Sequence, residues 1–166
     1  MKKLSLLILL FIAARASGQS FYTEEAFRNY FAQHADSLDQ IEGIWQVSTT
    51  LEYYHYDTLY DVEEHPKGAK VAIILKEGKY LSYNLSGEPY DVEFSTTDVK
   101  GVYLYRNYFP LTKSYSKTSA VISKRGEMEY TYTFPDDYLR AKLGDSYEEG
   151  TRVVNILKWT RVFPEK

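Results

Sequence analysis

Apolar and polar positions change their rhythm along this chain, and each rhythm predicts a different element. A largely apolar run with no charge occupies residues 4–14. Then Phe27, Tyr30, Phe31, His34 and Leu38 recur at steps of three and four, the period of a helix with one apolar face. Thr23 ahead of Glu24 and Glu25 supplies an N-cap and an acidic first turn, so a short helix should begin there and end near His34 or Ala35. From Ile41 the period becomes two. Trp45, Val47, Thr49, Leu51 and Tyr53 alternate with Gln46, Ser48, Thr50, Glu52 and Tyr54, which predicts a half-buried strand.

Strand-like stretches follow at residues 71–75, 81–85, 90–94, 102–108, 118–123, 128–134 and 151–163. Turn chemistry separates several of them, at Glu77-Gly78-Lys79, Ser86-Gly87 and Lys124-Arg125-Gly126-Glu127. Residues 135–150 read as a polar excursion with a short helical turn. Short connections and the absence of alternating strands and helices predict a mainly β chain. The expected fold is an antiparallel up-and-down barrel of about eight strands, with closure removing exposed edges. The chain divides into a leader at residues 1–18, a helix and lead-in at 19–40, and the barrel at 41–166.

The leader follows from its three zones. Met1-Lys2-Lys3 is positive, the next eleven residues from Leu4 form an apolar run with no charge, and Ala14-Arg15-Ala16 and Ala16-Ser17-Gly18 offer small residues for cleavage. The apolar run is shorter than the roughly 20 residues that span a bilayer. With no cysteine there is no lipid-attachment thiol, no disulfide and no thiol chemistry. An exported protein without a membrane anchor is expected, in the periplasm, at the cell surface or in the medium. Cleavage after Gly18 leaves 148 residues, one domain by length. It removes three of the 20 Lys and Arg and none of the 23 Asp and Glu, taking the net charge from −3 to −6. An acidic domain repels nucleic acid and anionic membranes, so neither is an expected partner.

Gly43-Ile44-Trp45 at the mouth of the first strand resembles the motif of lipocalins and fatty-acid-binding proteins, the calycin superfamily. The resemblance implies that Trp45 closes one end of a barrel, with Gly43 permitting close chain approach. A basic residue near the last strand then packs on the indole. Arg161 is the candidate, with Lys158 and Arg152 behind it. The longer string from Leu38 to Trp45, and the closing Arg161-Val162-Phe163-Pro164, also resemble small exported proteins of Gram-negative bacteria, whose usual form has Pro in place of Gln40. That resemblance implies a fold and carries no activity.

The candidate chemistry is aromatic. All 17 tyrosines lie outside the leader. Tyr103 with Tyr105, and Tyr130 with Tyr132, fall two apart, and Tyr83 shares the phase of Leu81 and Leu85. If those faces point inward, phenols line a cavity that suits a small hydrophobic or aromatic molecule. The same residues equally serve as β-formers in a filled core. An alternative is an interaction module that uses Tyr53, Tyr54, Tyr56 and Tyr60 on its outside to contact a protein or glycan. His55 and His65 bracket Asp57, Asp61, Glu63 and Glu64, which reads as a solvated acidic loop at the barrel mouth because no metal-ligand motif is present. Neither a nucleophile elbow nor a phosphate or dinucleotide loop occurs, so no cofactor is expected and an enzyme is not indicated.

Overall fold

The structure, a computed structural model, describes residues 23–164. The leader and its cleavage site lie outside this range.

Helix α1 (Glu24–Gln33) starts where the Thr23 side chain accepts a hydrogen bond from the Ala26 N–H at 3.2 Å. Glu24 and Glu25 occupy the positive end of its dipole. Phe27 and Phe31, one turn apart, are fully buried. They pack with Ile44, Ala72 and Ile74 in a cluster separate from the barrel interior. Each phenylalanine contributes about 1.5–3 kcal/mol by leaving water.

Nine strand segments follow: β1 (Gly43–His55), β2 (Thr58–His65), β3 (Lys70–Lys76), β4 (Lys79–Asn84), β5 (Val92–Thr96), β6 (Val102–Phe109), β7 (Ser114–Ile122), β8 (Glu127–Thr133) and β9 (Thr151–Phe163). Helix α2 (Asp136–Leu143) stands between β8 and β9. The sheet runs from β1 through β3 to β9 in chain order, every neighbour antiparallel, and β9 pairs back onto β1 from Ile44↔Phe163 to His55↔Thr151. The result is a closed antiparallel barrel of eight strands.

The ninth segment is a continuation. The start of β1, Gly43 to Gln46, pairs with β3, and Thr49 to His55 pairs with β2. Segments β2 and β3 are therefore two lengths of one course, interrupted at Pro66-Lys67-Gly68-Ala69. Val47 holds the interruption with two backbone bonds, its N–H donating to Ala69 O at 2.9 Å and its carbonyl accepting from the Gly68 N–H at 3.0 Å. Residues 58–65, which the sequence presents as an acidic loop, are thus a strand. All eight are exposed, and a strand with no buried face leaves no alternation to read.

The interior is filled from every side. Trp45 and Val47 enter from β1, Phe94 from β5, Met128 from β8, and Leu157 and Trp159 from β9. Helix α2 lies against the barrel end where β8 finishes. Its Tyr138 ring sits 4.7 Å from Phe109 and stacks at 5.5 Å on Phe134. No helix among the described residues is long and apolar enough to cross a membrane.

Candidate functional site

One end of the barrel is sealed. Trp45 donates its indole N–H to the Ile41 carbonyl at 2.9 Å. The Arg161 guanidinium lies over that ring, 4.3 Å from its centroid. It also donates to the Glu42 carbonyl at 2.6 Å and to the Gln40 carbonyl. The other two basic candidates are engaged elsewhere: Lys158 pairs with Glu127 at 3.3 Å, and Arg152 covers Tyr54 at 4.0 Å. Gly43 has φ +147°, and a Cβ there would sit 2.5 Å from the Phe163 carbonyl oxygen. Only glycine fits under that backbone.

Two carboxylates brace this end. Glu42 is buried, accepting from the Leu75 N–H at 2.8 Å and the Asp39 N–H at 2.9 Å. Asp39 accepts from the Tyr103 hydroxyl. Burial pushes the Asp39 carboxyl pKa up, but hydrogen bonds from Tyr103, the Ile41 N–H and Tyr80 outweigh it and hold the group below its ordinary value. Nothing in the periodicity of Glu42 marks it as buried.

The tyrosines named from the sequence divide. Tyr103, Tyr105, Tyr130 and Tyr132 face inward and are buried. The Tyr105 ring packs against Tyr130 at 4.2 Å and Tyr132 at 5.9 Å. Desolvation raises the pKa of the Tyr105 and Tyr130 phenols, so they stay neutral. Tyr83 is elsewhere. It belongs to the outer cluster beneath α1, its ring 5.9 Å from Phe27. The inward residues of β4 are Tyr80 and Ser82, and the face of Leu81, Tyr83 and Leu85 is half-buried because the helix covers part of it. Both faces of β4 are at least partly covered, so hydrophobicity alone does not say which is inside.

The other end carries a cleft. β1 and β9 stay paired to His55↔Thr151, beyond the last β8 contact at Thr133↔Val154, and form a raised wall. Leu51, Tyr53 and Val153 are the apolar part of that wall. Facing them are Phe134 and, from α2, Tyr138, Leu139 and Leu143. The space between measures ≈ 580 Å³. At its rim stand Lys142, His55 and Glu148, with His55 Nδ1 3.5 Å from the Glu148 carboxylate. Neither Tyr105, Tyr130 nor Tyr132 borders it. This site was not expected from the sequence; a partial signal for it is the spacing of Leu139 and Leu143, one helical turn apart inside a polar stretch.

Of the four tyrosines on the first hairpin, Tyr56 and Tyr60 are exposed, at 63% and 59%. Tyr53 donates to Glu63 at 3.0 Å and Tyr54 to Glu52 at 2.7 Å. Three or more metal-ligating side chains do not gather anywhere among the described residues. Comparison with protein-family models, with curated proteins and with solved structures yields no match to this chain.

Proposed function

We propose that the protein is an exported, non-enzymatic binding protein of lipocalin-like design that holds a small, partly apolar molecule in the cleft between α2 and the β1–β9 wall. The observation that carries this reading is the cleft itself. Its ≈ 580 Å³ lies inside the roughly 300–1,000 Å³ range of small-molecule sites. Apolar and aromatic walls with a few polar groups at the rim suit a ligand that is mostly apolar with one polar end. The packed tyrosines of the interior are then core beneath the cleft and do not touch the ligand. The leader supports export, and cleavage after Gly18 is checked by intact mass of the secreted product.

The test uses fatty acids and aromatic dyes, screened by native mass spectrometry, with anilinonaphthalene sulfonate as the fluorescent probe. Leu143 is 39% exposed on the cleft wall, so Leu143→Trp fills the space without entering the packed interior. Dye binding should weaken at least tenfold in Leu143→Trp and stay unchanged in Tyr105→Phe. Unchanged binding in Leu143→Trp removes the cleft as the site. No stoichiometric binding of any probe removes the reading.

A further inference from the structure

The course formed by β2 and β3 is unequal on its outer side. Strand β3 is paired there with β4 from Val71↔Asn84 to Lys76↔Lys79. Strand β2 is paired only with β1, and no described strand lies along its other edge. The Val62 N–H is donated to the carboxylate of its neighbour Asp61 at 2.9 Å and so points away from the β1 ladder. Alternation places the Glu64 N–H on the same open edge.

We propose that the free edge of β2 is a docking site for an extended polypeptide segment in which basic and apolar residues alternate, added as a further strand. This surface is distinct from the cleft and does not depend on it. An unpaired strand supplies a row of backbone donors and acceptors, and side-chain pockets on alternate positions give specificity.

Register sets the chemistry of the partner. Asp61 and Glu63 are paired with Tyr53 and Leu51 and share their face, the one that looks toward the cleft. Leu59 and Val62 are paired with Tyr54 and Glu52 on the opposite face, and they are 47% and 45% exposed. An added strand therefore meets Asp61 and Glu63, with His65 2.9 Å from Glu63, on one face, and Leu59, Val62 and then Glu64 on the other. Lysine or arginine at every second residue matches Asp61 and Glu63, and valine or leucine between them matches Leu59 and Val62.

A second copy of this chain is the occupant that the charges oppose. Antiparallel pairing of two β2 edges would bring Asp61, Glu63 and Glu64 of both copies into one short ribbon, with His65 as the one titratable base on each strand. Like charges across paired strands are destabilising. The same carboxylates that keep copies apart attract a basic strand.

The experiment measures amide hydrogen exchange of the folded protein by NMR, with an end-capped peptide of alternating lysine and valine as the probe. Binding should slow the Val62 and Glu64 amides at least tenfold. A glutamate–valine peptide of the same length should leave them unchanged. So should the lysine–valine peptide methylated on alternate backbone nitrogens, which keeps its charge but cannot complete a ladder. Asp61→Asn should weaken the lysine–valine peptide at least threefold at an unaltered unfolding midpoint. The proposal is overturned if the methylated peptide binds as well, which is adhesion by charge alone, or if neither peptide protects those amides at millimolar concentration. It is also overturned if protection grows with protein concentration in the absence of peptide, because a second copy then occupies the edge.

Discussion

Tyr130 and Tyr132 are neighbours in phase on one strand, yet their hydroxyls have opposite standing. Tyr132 accepts a hydrogen bond from Asn155 Nδ2 at 2.8 Å in the buried interior. The Tyr130 hydroxyl is equally dry and lies beside the Tyr105 phenol without a hydrogen bond of ordinary geometry. Removing a bonded hydroxyl strands its partner, whereas removing an unbonded one removes a desolvation cost. Tyr132→Phe should therefore lower stability by about 1–3 kcal/mol, and Tyr130→Phe should leave it unchanged or raise it. Urea unfolding of the two variants beside the parent measures the difference. Equal losses would mean that Tyr130 has a full hydrogen-bond partner in solution.

At the scale of elements, α1 acts as a cover for the outside of the barrel, laid over β1, β3 and β4. Phe31 is fully buried there. Phe31→Ala should cost about 3–5 kcal/mol. The interior rings are left in place, so near-ultraviolet circular dichroism of the native variant should keep the signature of Trp45 and Trp159. Loss of that signature would show that helix and barrel are one packing unit. This helix was legible in advance because Phe27 and Phe31 repeat at its own period and Thr23 caps it. The strands were legible wherever one face is wet, as in β8, where Met128, Tyr130 and Tyr132 alternate with exposed residues. Two things were hidden. β2 has neither face buried and shows no contrast for a period-two reading; β4 was legible as a strand, but α1 partly covers its outer face, so which face points inward was not. The cleft was hidden for another reason. Its halves, Leu51 with Tyr53 and Leu139 with Leu143, come from opposite ends of the barrel sequence, and only closure brings them together.

For the molecule as a whole, acid is the condition that probes the sealed end. Asp39 has a folded pKa below its ordinary 3.8, so the unfolded chain binds its proton more readily. The stability it contributes is complete above the ordinary carboxylate range and is lost as pH falls through the depressed folded value. Asp136, held down by hydrogen bonds from Tyr147 and Arg140, acts in the same sense. Unfolding free energy should thus fall from pH 5 to pH 3. In Tyr103→Phe, which removes one hydrogen bond to Asp39, the fall should be shallower. An identical slope in parent and variant would show that the Tyr103–Asp39 bond does not set the acid response.

The pairing of β1 with β9 joins the first described strand to the last. A chain made from its N-terminus therefore holds β1 in waiting, with one side unsatisfied, until the final residues from Thr151 onward arrive. Bringing such distant segments together costs loop entropy before any contact rewards it, which places closure late and folding on the slower side for a domain of this size. Until then Trp45 has no Arg161 above it and the interior rings have a missing wall. Forms that lack β9 should thus be open troughs rather than small barrels, with an adhesive β1 margin that β9 otherwise covers.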